Sequence, residues 1–91
     1  MIVVSHDGFN RTPSWRSIIV VPLSTSVTQA RRGPTAVAIP RGAGGVPHAS
    51  VALCHQVTTL DREKLVRQLG TLPSVLLADV ESGLRAALDL S

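Results

Sequence analysis

The chain has 91 residues, of which 44% are hydrophobic but 2% aromatic, and its formal net charge is +3. This length predicts one domain over residues 1–91, with a core built from aliphatic side chains. One cysteine excludes an internal disulfide framework and is typical of a cytoplasmic protein. No apolar run is long enough to cross a membrane and no signal-like segment opens the chain, so we expect neither a membrane partner nor export.

Positive charge is concentrated in the first half of the chain. Residues 1–48 carry five arginines and one aspartate, whereas residues 49–91 carry four basic and five acidic residues. Because the planar guanidinium suits phosphate recognition, this asymmetry favours a polyanion or an acidic protein segment as partner. A solvated surface explains the same charge distribution equally well.

The apolar patterns predict several short strands before a helix. Strands are expected at residues 2–5, 17–23, 35–39, 50–58 and 68–72, with loops at residues 6–16 and 24–33. The strand at 17–23 lacks alternation, which predicts that both of its faces are buried.

Two helices are expected in the second half. Asp61 is suited to cap a short helix over residues 62–67. A longer amphipathic helix is expected to begin with Pro73 at its first position, and Gly83 weakens that helix unless close packing requires it. Early strands followed by a late helix predict an α+β fold that is mainly β.

Hydroxyl groups and arginines follow the second predicted strand. The hydroxyl cluster Ser24-Thr25-Ser26 ends the apolar run, and Arg31 and Arg32 follow a few residues later. Such a strand end can hold a phosphate through hydroxyl and guanidinium hydrogen bonds. Capping of the loop by the same hydroxyls is the alternative.

Histidine and cysteine form no metal signature. His6, His48 and His55 lie in three separate segments without metal-ligand spacing. A pair of them could run ribonuclease-type acid–base chemistry, but isolated histidines are more typical of surface positions. Cys54 lies within a strand pattern, which is more typical of a small buried apolar residue than of a nucleophile.

Several motifs in chain order resemble the MazF/PemK toxins. They are an apolar strand ending in Ser-x-Asp (residues 3–7), a proline followed by hydroxyl residues (22–26), Ser-Val before Gln-Val (50–57), an Asp-capped segment leading to Leu-Gly-x-Leu (61–72), and an amphipathic C-terminal helix. Each motif alone is weak, but together in this order they cover essentially the whole chain.

This resemblance implies an SH3-like small barrel of the MazF/CcdB superfamily with a C-terminal helix, usually as a homodimer. It implies a toxin that cleaves single-stranded mRNA at specific sequences without metal or other cofactor. Attack by the ribose 2′-OH leaves a cyclic phosphate and a 5′-OH. The implied partner is an antitoxin whose acidic C-terminal segment covers the RNA site, and operator DNA is contacted only through the toxin–antitoxin complex.

The resemblance also assigns roles to individual residues. Thr25 matches the catalytic hydroxyl, which hydrogen-bonds the scissile phosphate. Gln56 matches a glutamine that approaches a base. The remaining RNA-binding positions implied are Ser26, Arg31, Arg32 and His55. Asn10 and Arg11 match an Asn-Arg pair, which we expect to structure a loop.

The chain also departs from the family pattern. The family begins with a Gly-Asp-x-Trp strand and an Arg-Pro before its Val-Val-x-Ser strand, and this sequence contains no counterpart of either or of the family's catalytic arginine. We therefore expect an N-terminally truncated toxin. One alternative is a non-catalytic paralogue that binds antitoxin, RNA or a full-length toxin. A gyrase poison is less expected, because those relatives depend on a tryptophan near the chain end.

Overall fold

The computed structural model describes residues 1–5, 7–26, 33–65 and 69–90. The strands in this part of the chain are β1 (Ile2–Val3), β2 (Ser17–Val21), β3 (Leu23–Ser24), β4 (Ala36–Ile39), β5 (Ser50–Leu53) and β6 (Thr58–Asp61). The helices are α1 (Asp7–Asn10) and α2 (Ser74–Leu88), and single 3-10 turns lie at Ala43–Gly45, Cys54–Gln56 and Arg62–Lys64.

The strands form two antiparallel sheets, ordered β1-β2-β6 and β3-β5-β4. The chain changes sheet at Pro22, between β2 and β3, and again at the turn Cys54–Gln56, between β5 and β6. Pro22 lacks an N–H for a ladder but still accepts a hydrogen bond from the Leu53 N–H at 2.9 Å. The expected mainly β fold with a C-terminal helix is confirmed, although the barrel is not closed.

Strand β2 is buried on parts of both faces. Ile18, Val20 and Val21 are at most 1% exposed, whereas Ile19 is 40% exposed. The prediction of two buried faces therefore holds for the end of the strand near Pro22 and is wrong at Ile19, because the sheet has an open outer surface there.

Helix α2 lies against the second sheet through a small-residue contact. A Cβ added at Gly83 would lie 2.7 Å from the Cys54 Sγ and 2.9 Å from the Val37 Cγ2. The glycine therefore allows the helix backbone to approach the sheet, which is the close packing that accounts for a weak helix former at this position. The predicted helix is confirmed, but it begins at Ser74, so Pro73 is its N-cap.

Four other predictions of local structure need correction. The predicted strand at 50–58 is broken by the turn Cys54–Gln56, and β6 was not predicted. The predicted loop at 6–16 contains the short helix α1. The helix expected at 62–67 is a single turn, because Leu65 has extended backbone. No strand lies among residues 69–72, where Gly70 packs against the backbone of Gly44. Residues 66–68 lie outside the described part.

Candidate functional site

Thr25 and Ser26 lie at the surface directly after β3. Both residues are exposed. The Ser26 N–H donates to the Ser24 Oγ at 3.1 Å, so Ser24 begins the turn through its own side chain. This arrangement presents the residue between them, Thr25, to solvent. We call residues 24–26 the hydroxyl end.

His55 and Gln56 lie on the turn Cys54–Gln56, which we call the Gln–His turn, and not within a strand as predicted. Both side chains are exposed. The His55 Nδ1 is 3.5 Å from the Thr35 Oγ1, and its Nε2 is 3.4 Å from the Gln56 Nε2. Thr35, which sequence reasoning missed, also accepts the Cys54 N–H with its carbonyl at 3.0 Å.

Cys54 fixes this turn from below. Its side chain is fully buried, and the Sγ donates to the Val80 carbonyl of α2 at 3.6 Å. Burial raises the pKa of the thiol, which keeps it protonated. The prediction that Cys54 is a small buried residue is confirmed.

The two groups of predicted site residues lie at opposite ends of β5. Ser24 pairs with Val51, near the start of β5, whereas the Gln–His turn follows Leu53 at its end. At about 3.3 Å per residue, the four residues of β5 separate the groups by about 10–13 Å. The structure does not bring Thr25 and His55 into contact. Arg31 and Arg32 lie outside the described residues.

Two other arginines stabilise the far end of the first sheet. The Arg16 guanidinium lies 2.8 Å from the Glu63 carboxylate and 3.3 Å from that of Asp61, and these hydrogen bonds raise the pKa of Arg16. Arg62 donates to four backbone carbonyls of the loop before β2. The guanidinium groups of Arg16 and Arg62 therefore hold the fold together. Their positions in the sequence did not indicate this role.

Asn10 shapes the loop between β1 and β2. The Ser5 hydroxyl donates to its side-chain oxygen, and its amide nitrogen donates to the Ser5 carbonyl at 2.8 Å. The predicted loop-structuring role of Asn10 is confirmed. Arg11 makes a 4.0 Å ion pair with Asp7, in which both side chains are largely exposed.

A cavity of about 260 Å³ opens between the end of β1 and α2. Its lining residues are Val3, Val4, Ser5, Asp7, Asn10, Leu77, Glu81 and Leu84. None of the predicted site residues is among them. The described residues also contain no group of three or more His, Cys, Asp or Glu side chains placed to hold a metal ion.

Comparison with known proteins gives related sequences over nearly the whole chain. Endoribonuclease MazF6 of Mycobacterium tuberculosis (strain H37Rv) and endoribonuclease MazF2 of Mycobacterium bovis are each 29% identical over 90 residues. Each alignment covers 99% of this chain and 77% of the relative.

Solved structures share the fold. The Mycobacterium tuberculosis toxin MazF-mt6 superposes with a TM-score of 0.83 at 23% identity, covering 99% of this chain and 85% of that one. An endoribonuclease in complex with its cognate antitoxin, from a mycobacterial species, gives 0.80 at 25% identity, with 98% and 79% covered. The family model for the PemK-like, MazF-like toxin of type II toxin–antitoxin systems matches residues 1–88. The chain therefore belongs to the PemK-like, MazF-like toxin family.

Proposed function

We propose that this chain is the toxin of a type II toxin–antitoxin pair and cleaves single-stranded RNA in the cytoplasm without a metal ion. Its endoribonuclease relatives support the reaction class. The observation that carries the proposal for this chain is the exposed Thr25, held at the end of β3 by the turn that Ser24 closes.

The reaction proceeds within the RNA. The ribose 2′-OH gives up its proton to solvent as its oxygen attacks the adjacent phosphorus, the bond from phosphorus to the 5′-oxygen breaks, and the leaving 5′-oxygen takes up a proton from solvent. The products are a 2′,3′-cyclic phosphate and a 5′-OH. Thr25 donates a hydrogen bond to a non-bridging phosphate oxygen, where negative charge grows in the transition state.

RNA binding extends from the hydroxyl end to the Gln–His turn. Ser26 contacts the backbone, Arg31 and Arg32 supply positive charge, and His55 and Gln56 approach a base. A separation of about 10–13 Å exceeds the roughly 3.4 Å rise of one stacked nucleotide, so the two groups contact different nucleotides of the strand.

Thr25→Ala tests the catalytic role. We expect single-turnover cleavage of a long single-stranded RNA in EDTA to fall about 100-fold, because one donor to the developing charge is lost. The matched control is Thr59→Ala, which makes the same change at an exposed position of β6. Both variants should unfold at the wild-type denaturant midpoint. Equal cleavage by Thr25→Ala and wild type would remove Thr25 from the mechanism.

Arg31→Ala and Arg32→Ala test phosphate binding. Each substitution should weaken RNA binding for all sequences and should reduce the salt dependence of the dissociation constant by roughly 0.7 in log–log slope. Arg41→Ala, at an exposed position of a turn, is the charge-matched control. A slope that none of the three variants changes would contradict the proposed contacts.

A second candidate function is binding without cleavage. It is favoured by one observation: Arg16 and Arg62, two arginines of the described part, are held by carboxylates and by loop carbonyls. Both guanidinium groups therefore hold the fold and are not available to a phosphate of the RNA. RNA binding by the wild type in EDTA with no cyclic-phosphate product would support this function over cleavage.

Partners follow from the family. The solved complex of a related endoribonuclease with its cognate antitoxin supports an antitoxin as the partner of this chain. We propose that the antitoxin's acidic C-terminal segment competes with RNA, that the toxin is a homodimer, and that operator DNA is contacted only through the complex. Within the described residues no helix is long and apolar enough to span a membrane.

A further inference from the structure

At the Gln–His turn, the His55 ring lies between the side chains of Thr35 and Gln56. Thr35 faces one nitrogen of the His55 ring at 3.5 Å, and Gln56 faces the other with its amide nitrogen at 3.4 Å. Thr35 is held against the turn by its backbone, because its carbonyl accepts the Cys54 N–H at 3.0 Å.

The amide nitrogen of Gln56 determines which of these three side chains donate and which accept. An amide NH₂ group can only donate, so the Nε2 of His55 must accept and therefore carries no proton. In the neutral ring the proton then lies on Nδ1, which donates to the Thr35 Oγ1. With its nitrogen turned to the ring, Gln56 presents its carbonyl oxygen to the surroundings, and the side chain is exposed.

We propose that Thr35 and His55 are positioning residues that make Gln56 a hydrogen-bond acceptor for the RNA. The inference rests on the proposed RNA binding and specifies its chemistry. If it faces position 6 of a purine or position 4 of a pyrimidine, this acceptor selects the amino group of adenine or cytosine over the carbonyl of guanine or uracil.

Pairs of nucleosides that differ at this base edge provide the test. Adenosine has a 6-amino group beside an acceptor N1, where inosine has a 6-oxo group beside an N1–H, and cytidine and uridine differ in the same way at positions 4 and 3. We would measure dissociation constants for short single-stranded RNAs in which each position in turn carries one or the other. The wild type should bind the amino base about fivefold more tightly at one position, which is the contribution of one hydrogen bond.

Substitutions at positions 35 and 56 distinguish a loss of Gln56 positioning from a general folding defect. Thr35→Val should bring this ratio towards one while leaving the affinity for the oxo base unchanged, and Thr35→Ser should restore the ratio. Gln56→Glu has acceptors only, so its preference for the amino base should persist even when it is combined with Thr35→Val. A fold defect would change all affinities and could not be corrected by Gln56→Glu.

The outcomes distinguish this inference from the proposed function. Absence of RNA binding by the wild type would overturn both. RNA binding without an amino preference, with a preference for the oxo base, or with a preference that Thr35→Val leaves unchanged would overturn the inference alone.

Discussion

The loop before β2 and the candidate RNA surface use polar side chains in opposite ways. In the loop, one guanidinium binds backbone: Arg62 donates to the carbonyls of Trp15 at 2.8 Å, Phe9 and Asn10 at 2.9 Å and Thr12 at 3.3 Å. The Arg62 N–H also donates to the Arg16 carbonyl at 2.6 Å. We call residues 7–16 the anchored loop.

The anchored loop also holds the chain's two aromatic side chains. The rings of Phe9 and Trp15 stack with their centroids 4.2 Å apart and their planes 7° apart, and each residue is more than 40% exposed. The core around Val21 and Val80 is aliphatic. The aromatic stack and Arg62 together give a loop with a defined shape although little of it is buried.

The hydroxyl end and the Gln–His turn are less constrained. Four of their side chains are exposed, those of Thr25, Ser26, His55 and Gln56. The contacts of His55 with Thr35 and Gln56 lie at the long end of hydrogen-bond distances. The comparison shows that positive charge in this sequence has two uses. Arg16 and Arg62 hold carboxylates and backbone carbonyls, so a count of basic residues overestimates the charge available to the proposed RNA substrate.

Removal of the anchoring guanidinium should have the largest effect on stability. Arg62→Ala leaves four carbonyls without their donor, and we expect a loss of about 2–3 kcal/mol in the free energy of unfolding. Arg62→Lys should recover less than half of this loss, because a compact ammonium cannot reach four carbonyls at once. Denaturant unfolding followed by Trp15 fluorescence measures both the stability and the state of the loop.

The control for Arg62 is a basic residue without such contacts. Arg85→Ala, at an exposed position of α2, should change stability by less than about 0.5 kcal/mol. If Arg62→Ala behaved like Arg85→Ala, the anchored loop would owe its shape to its own turns and to the aromatic stack.

Gly83→Ala should have the next largest effect, and it acts beneath the Gln–His turn. Alanine favours a helix by about 1 kcal/mol over glycine, but the added Cβ would overlap the Cys54 Sγ and the Val37 Cγ2. Overpacking of this kind costs about 1–3 kcal/mol, so we expect a net destabilisation of about 1 kcal/mol.

A double-mutant cycle isolates the contact between the helix and the turn. In a Cys54→Ala background the Sγ is gone, so Gly83→Ala should destabilise less than in the wild type. Ser82→Ala, at an exposed position of α2, is the matched helix control and should be neutral or stabilising. Additive effects at positions 54 and 83 would mean that α2 does not support the turn through this contact.

Local patterns predicted much of this fold correctly. Residue types that strongly favour one structure make up β2, most of β4 and the long amphipathic helix. Asp61 was also correctly predicted as a cap, since its carboxylate accepts the Glu63 N–H at 2.9 Å. Asn10 could be assigned to the loop because a short amide readily bonds to nearby backbone.

Tertiary contacts decided the features that the sequence could not predict. The segment from Ser50 to Thr58 has a strand composition throughout, but the Cys54 N–H donates to Thr35 and its Sγ to Val80, and these two contacts turn the chain. For the same reason Thr35 could not be recognised as part of the candidate site. It lies 20 residues from His55 in the chain, and no local pattern connects the two.

Acid should lower the free energy of unfolding through Asp61 at the end of β6, by less than either Arg62→Ala or Gly83→Ala. The Glu63 N–H bonded to the Asp61 carboxylate, together with Arg16, lowers the pKa of Asp61. A lowered folded-state pKa means that the stabilisation is present above the ordinary value of about 4 and is lost as the pH falls through the folded value.

Asp61→Asn keeps a side-chain oxygen for Glu63 but has no charge to titrate. The difference in denaturant midpoint between wild type and Asp61→Asn should therefore shrink between about pH 7 and pH 3, and molar salt should reduce the part due to Arg16. A difference that stayed constant across this range would show that Asp61 acts through its cap geometry alone, which would make the ion pair a consequence of the turn and not one of its causes.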